Sequence, residues 1–278
     1  MNTYFKEESG KHMKVQGKVV VVTGAGSGMG RELTLELLRR GAKVAAVDMR
    51  SETLEETKNL AKAISQKVAT FPLDITDAKK VAALPAQVKK SLGEADALIN
   101  NAGIIQPYVM VNDLTMDHIR HVMNVNFDGP IMVIKAFLPG LLKRPEGHIL
   151  NVSSMGAYVP VPGQSVYGAS KAAIKLLTEG LRSELLPTKV GVTVVFPGVI
   201  ATNIAGNSGM VIPEGAAENS TRKTTAADFA ARRMVDAIEH NKPRITIGSD
   251  AKLMDRLSRL NPVFAAKLIY KQRADLRG

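Results

Sequence analysis

Short β-branched runs alternate with longer amphipathic stretches along most of this chain, and that alternation constrains the fold more than any other feature. The runs are Val19 to Thr23, Lys43 to Asp48, Val68 to Asp74, Ala97 to Asn100, His148 to Ser153, Val190 to Phe196 and Arg244 to Gly248, each of strand length. Between them lie helical patterns such as Arg31 to Arg40, where Leu33, Leu37 and Leu38 share a face, and Ala78 to Leu92, where Pro85 predicts a bend. Strand and helix in strict alternation imply a parallel sheet covered on both faces, because each right-handed crossover lays its helix back on the sheet. The pattern breaks only at the start, in a long segment from Val199 to Thr225, and from about Ser249 onward.

The first run leads into Thr23-Gly24-Ala25-Gly26-Ser27-Gly28-Met29-Gly30 and then a helix. Glycines at such a turn permit positive φ, let backbone N–H groups approach a pyrophosphate and let the helix pack close on the strand, with the helix N-terminus favouring the phosphates. A plain strand-to-helix connection is the competing reading. Asp48 sharpens the choice: it ends the second run, 18 residues past Gly30, where a carboxylate accepts from both hydroxyls of an adenosine ribose and repels a 2′-phosphate. NAD is therefore expected over NADP. Arg50 and Arg31 are the residues that would argue for a phosphate, against an ordinary role as solvated surface arginines. The fold class expected is α/β: a single Rossmann-type doubly wound parallel sheet of about seven strands, with a C-terminal helical extension.

Composition removes several alternatives. The chain has 278 residues and no cysteine, which excludes disulfides, a thiolate nucleophile and cysteine-ligated metal, and fits a reducing compartment. Its five histidines form no HExxH pair, so no metal site is expected. The first 18 residues are hydrophilic and lack the apolar core of a secretory signal, and no run reaches membrane-spanning length; a cytoplasmic location is expected. The formal charge is +11, which by itself raises nucleic acid, anionic lipid or an anionic ligand as partners.

Five further motifs in order make the sequence resemble the short-chain dehydrogenase/reductase family. The glycine motif TGxxxGxG is Thr23 to Gly30, NNAG is Asn100-Asn101-Ala102-Gly103, and the helix asparagine falls in Asn124-Val125-Asn126. The serine lies in Asn151-Val152-Ser153-Ser154, YxxxK is Tyr167 to Lys171, and the PG motif is Pro197-Gly198-Val199-Ile200-Ala201-Thr202. Coverage runs from about Lys14 to Gly248. The resemblance implies Ser154, Tyr167, Lys171 and Asn126 as catalytic residues; the family places its serine 13 residues before the tyrosine, which selects Ser154 over Ser153. It implies cofactor contacts from Gly24, Ser27, Gly28, Met29, Gly30, Asp48, Met49, Asp74, Ile75, Asn101, Gly103, Tyr167, Lys171, Ile200 and Thr202. Asp74 has an alternative role as the cap of a helix starting near Thr76, and Asn100 reads as a tie between strands.

Tyr167 and Lys171 are four apart and so share a helix face. A phenol with an ordinary pKa of about 10 is a poor base at neutral pH; a nearby ammonium and the positive ring of an oxidised nicotinamide would favour the phenolate. Tyr167 then exchanges the alcohol proton as hydride moves between carbon and cofactor. By the resemblance, Ser154 holds the substrate oxygen, Lys171 binds the ribose, and Asn126 holds a water linked to Lys171. Residues expected at the substrate pocket, Gln106, Pro107, Tyr108, Met155, Val159, Pro160, Val161, Gln164 and Met210, carry no charge and point to a neutral or lipophilic alcohol or ketone.

The resemblance divides the chain into a hydrophilic leader (1–13), a dinucleotide-binding catalytic domain (14–248) and an amphipathic, basic C-terminal extension (249–278), and implies a homodimer or homotetramer. The segment Val199 to Thr225 reads as a lid or as a surface loop. In the extension, Leu253, Leu257, Leu260 and Phe264 recur at helical spacing and Asn261-Pro262 reads as a cap and first turn. A helix packed on the domain, a cover over an apolar substrate and peripheral membrane contact are the three readings. Much of the charge lies at the ends: residues 1–18 carry +2 and residues 251–278 carry +5. A nucleic-acid reading rests on charge alone, with no recognisable binding motif, so no nucleic-acid partner is expected. A non-catalytic dinucleotide sensor or scaffold is the competing function.

Overall fold

The computed structural model describes residues 12–65, 67–202, 204–208 and 224–272. Met210, the middle of the Val199 to Thr225 segment, most of the leader and the last six residues lie outside these. Seven parallel strands form one sheet in the order β3-β2-β1-β4-β5-β6-β7: β1 (Val19–Thr23), β2 (Lys43–Asp48), β3 (Val68–Pro72), β4 (Ala97–Asn100), β5 (Gly147–Val152), β6 (Val190–Pro197) and β7 (Arg244–Ile247). The strands agree with expectation except at their ends. β3 stops before Leu73 and Asp74, which turn away into the groove described below.

The sheet is sandwiched because its strands are apolar on both faces. Val20, Val22, Val44, Ala46 and Ile99 are buried against α1 (Gly28–Arg39) and α8 (Ala227–Glu239), which supply Leu33, Leu37, Met234 and Val235. Their neighbours Val19, Val21, Ala45, Val47 and Leu98 face α3 (Ala78–Leu92), α5 (Gly129–Leu141) and α6 (Ser165–Glu184) through Leu84, Phe137 and Leu181. This is the period of two that a strand dictates, with both faces covered by crossover helices. Met13, which sequence alone puts in the leader, is 1% exposed and belongs to the first of these cores.

The remaining helices are α2 (Ser51–Ala61), α4 (Met116–Met123), the short α7 (Ile204–Asn207), α9 (Ser249–Leu260) and α10 (Pro262–Gln272). Pro85 does not end α3. Asp77, not Asp74, caps α3, accepting from the Lys79 and Lys80 N–H groups. Asp74 instead closes a local turn on the N–H and hydroxyl of Thr76. A single π-turn (Asn124–Asp128) joins α4 to α5, an insertion that often marks a functional position.

The strand order reverses between β1 and β4, and that opens a crevice beyond the carboxyl ends of the strands, where ligands bind in such sheets. Asn100 ties β4 to β5 there, donating to Asn151 Oδ1 at 2.8 Å. The extension also packs on the domain. Met254 of α9 and Ile269 of α10 are buried with Val159, alongside Tyr158, Val161, Leu257 and Leu268, and Asn261 caps α10 by accepting from the Phe264 N–H.

Candidate active site

The turn after β1 is tight because neither end tolerates a side chain. Gly24 has φ +68° and a Cβ there would sit 2.9 Å from the Ala102 backbone; a Cβ on Gly30 would collide with the Gly24 carbonyl. Gly30 therefore serves the packing of α1 on β1 and does not line the groove. The other turn residues, Gly24, Ser27, Gly28 and Met29, line a cavity of about 360 Å³ with Asp48, Met49, Asp74, Ile75, Asn101, Gly103 and Thr202. A second cavity of about 200 Å³, lined by Ser154, Tyr167, Lys171, Ile200 and Thr202, continues it. The two share Met29, Asn101, Gly103, Thr202 and Ile204, so one groove runs from the end of β2 to the end of β5.

At its outer end the Asp48 carboxylate accepts from the Gly26 and Arg50 backbone N–H groups at 3.0 and 3.1 Å, which holds it in the groove wall. Arg50 is not a solvated arginine. Its guanidinium donates to Asn207 Oδ1 at 3.0 Å, and Asn207 in turn donates to Ser27 Oγ at 2.9 Å. Arg31 is structural: it donates to the Gly26 carbonyl and to Thr57 and pairs with Glu56. Asn207 and Ser208, whose Oγ accepts from the Ile105 N–H, reach across from α7 to both banks of the groove. Nothing in the sequence around them flags either residue.

The inner end brings three expected residues together. Ser154 is hydrogen-bonded to Tyr167 and also accepts from the Gly156 N–H at 3.1 Å. Lys171 Nζ lies 5.9 Å from the Tyr167 ring centre and donates to the Val152 carbonyl at 3.1 Å. Gly103 makes room for this amine, since a Cβ there would stand 3.0 Å from Nζ. Asn126 lies behind the groove: its side chain is 1% exposed, accepts from the Ile104 N–H, and donates to the Ile104 carbonyl and Ser170 Oγ.

The expected lowering of the phenol belongs to the protein with an oxidised nicotinamide beside the ring; the protein groups alone act differently. Burial pushes the Tyr167 pKa up, and the Ser154 bond only partly opposes it; burial also pulls Lys171 down to about 8. Desolvation dominates because both groups are removed from water.

Four pocket expectations change as well: Gln106, Pro107, Val159 and Pro160 line neither cavity. Gln106 is a structural residue, its Oε1 accepting from the Val166 and Tyr167 N–H groups at the start of α6. Val159 packs under α9 and α10. Tyr108, Met155, Val161 and Gln164 do line the inner cavity. Asp250 of α9 was not foreseen: it accepts from the Val199 N–H at 2.8 Å and so fixes the PG motif from the extension.

The groove fits a dinucleotide on its own evidence. Asn101 donates to the Thr23 and Gly24 carbonyls, yet its buried Oδ1 has no partner, leaving an acceptor for a ligand at the junction of the two cavities. The model of the short chain dehydrogenase family matches residues 18–210. The chain belongs to the short-chain dehydrogenase/reductase family. SadH of Mycobacterium tuberculosis is 36% identical over 252 residues, covering 88% of this chain and 91% of SadH. Mouse dehydrogenase/reductase SDR family member 7B is 35% identical over 243 residues, 84% of this chain and 74% of that protein. A short chain dehydrogenase from Burkholderia cenocepacia, whose crystal structure is a complex with NADP, matches with a TM-score of 0.77 and 30% identity over 92% of this chain and 99% of that one. This short-chain dehydrogenase/reductase is accordingly an oxidoreductase with an NAD(P)-binding fold, acting between CH–OH and C=O on small molecules. Among the described residues no helix is long and apolar enough to cross a membrane and no group of three potential metal ligands occurs.

Proposed function

We propose that this protein is an NAD-dependent dehydrogenase/reductase for an uncharged, lipophilic alcohol or its ketone, with Tyr167 as the acid and base. The observation that carries this is the meeting of Ser154, Tyr167 and Lys171 at the inner end of a groove whose outer end holds Asp48. When bound, the nicotinamide supplies or accepts the hydride. Ser154 holds the substrate oxygen within reach of the Tyr167 hydroxyl. Tyr167 gives its phenolic proton to the carbonyl oxygen in reduction and takes the alcohol proton in oxidation, the latter helped by positive charge beside the ring. Lys171 binds ribose hydroxyls, and Asn126 acts on it through the backbone it braces and a held water. Around this centre Ile105, Tyr108, Met155, Val161 and Val199 offer an apolar wall, which disfavours an anionic substrate because a buried charge would lack a partner.

Asp48 supports NAD, since a 2′-phosphate beside a fixed carboxylate is repelled. A second reading, NADP, is favoured by Arg50, which Asn207 holds at the same end of the groove. Asp48→Asn keeps an acceptor for the turn but removes the charge; on the NAD reading the ratio of dissociation constants moves at least about tenfold toward NADP. A wild-type preference for NADP would sink that choice. Absorbance at the reduced-nicotinamide band with alcohols and ketones graded by size and lipophilicity tests the activity. Turnover should rise with lipophilicity and vanish in Tyr167→Phe while cofactor binding persists. Bound cofactor with no turnover on any substrate would leave only the non-catalytic sensor.

A further inference from the structure

We propose that the outer face of the α9–α10 pair docks on an anionic lipid surface. The inner side of the pair is already used, with Met254 and Ile269 buried against Val159. The outer side presents large apolar groups to solvent: Leu253, Leu260, Val263 and Phe264 are 52%, 84%, 62% and 53% exposed. Leu253 and Leu260 are two turns apart on one line of α9, and Lys252, Arg256 and Arg259 occupy the adjoining line of the same exposed face. Leu260, Val263 and Phe264 bracket the turn at Asn261, and on α10 exposed Lys267 and Lys271 continue the basic line beside Val263 and Phe264.

Charge decides the occupant. From Lys252 to Lys271 there are five basic residues and a single acid, Asp255, whose carboxylate is engaged by Arg244 at 2.8 Å and Arg259 at 3.1 Å. A second copy of this face would set like charges against each other across a two-fold axis. A polyanion such as RNA would meet the cations and leave the four apolar side chains in water. A lipid interface takes both: leucine, valine and phenylalanine enter the acyl boundary while lysine and arginine reach headgroup phosphates. Val161, in the loop before α6, packs on α9–α10 and also lines the inner cavity, so one loop residue separates the helix pair from the pocket.

The test is co-sedimentation of the full chain with vesicles of phosphatidylcholine alone and of phosphatidylcholine with about one-third phosphatidylglycerol. Binding is expected to the anionic vesicles, falling as salt is raised. Leu260→Ser with Phe264→Ser should weaken it at least about tenfold, and Arg256→Gln about fivefold; all three positions are exposed, and thermal melting checks that the variants fold. Absence of vesicle binding, equal binding to both vesicle types, or variants that bind like the parent would overturn the proposal. So would a change in oligomeric state caused by Leu260→Ser and Phe264→Ser without lipid, which would make this face a contact between copies of the chain.

Discussion

The Ser153 hydroxyl donates to the backbone carbonyl of Lys171 at 2.7 Å, deep in the protein where Ser153 is 2% exposed. This bond joins the end of β5 to the middle of α6, the two elements that carry Ser154 and Tyr167. Adjacent serines thus divide the work: one sets the separation of the strand and helix, and the other faces the groove. The same bond occupies a helix carbonyl at the turn where Lys171 must be placed.

Ser153→Ala should therefore destabilise the fold by about 0.5–1.5 kcal/mol, the net worth of one hydrogen bond, since the Lys171 carbonyl keeps its helical partner within α6, and lower turnover by loosening Ser154 against Tyr167. Ser154→Ala should leave urea stability nearly unchanged and lower kcat by about 10²-fold or more. Urea denaturation and steady-state rates on the two variants separate these roles; equal loss of stability in both would refute the division.

Asn207 bridges Ser27 and Arg50, residues on two different elements at the outer end of the groove. Asn207→Ala removes both bonds, each worth about 0.5–1.5 kcal/mol, so dissociation of bound dinucleotide should quicken several-fold with kcat on a fast substrate affected through release alone. Stopped-flow displacement of the reduced cofactor reads this directly. An unchanged off-rate would mean that the bridge is not made when cofactor is bound.

Lys171 is a stability liability. Its pKa is about 8 in the fold against an ordinary 10.5 because burial disfavours the ammonium, so the unfolded chain binds more protons between those values. Stability from this group accordingly rises as pH climbs from about 8 to 10.5, and the full penalty is present below about 8. Lys171→Met should raise the melting temperature at neutral pH while abolishing turnover. A variant that is less stable at pH 7 would show that the bond to the Val152 carbonyl outweighs desolvation.

His148 sets an acid limit. Thr193 Oγ1 donates to the Lys242 carbonyl at 2.6 Å, so the His148 Nε2 contact at 2.8 Å is made by an Nε2–H tautomer, and Nδ1 is buried without a partner. Burial, with Arg182 adding to it, pulls this imidazole down to about 3 from 6.5. The unfolded chain takes up the proton first, so stability falls as pH drops below about 6.5 and the loss is complete near 3. His148→Gln should flatten that part of the pH–stability curve measured by urea titration; an unaltered slope would place the acid sensitivity in other groups.

The sheet, its parallel sense and the groove were legible in sequence because each depends on short-range pattern. Alternating faces of Val19 to Val22, the glycines of the first turn and the four-residue step from Tyr167 to Lys171 are all local geometry. The strand-end tie from Asn100 and the cap at Asn261 were legible for the same reason. Three things were decided only by tertiary structure. Arg50 turns inward because Asn207, 157 residues away, stands opposite it. The Tyr167 phenol is raised because packing strips its water, and one-face helical spacing says nothing about solvent. The extension buries Met254 and Ile269 on Val159 and sends Asp250 to the PG motif, although its periodicity fits a free amphipathic helix equally well. A sequence fixes which side of an element is apolar; which distant surface meets that side is settled when the whole chain closes on itself.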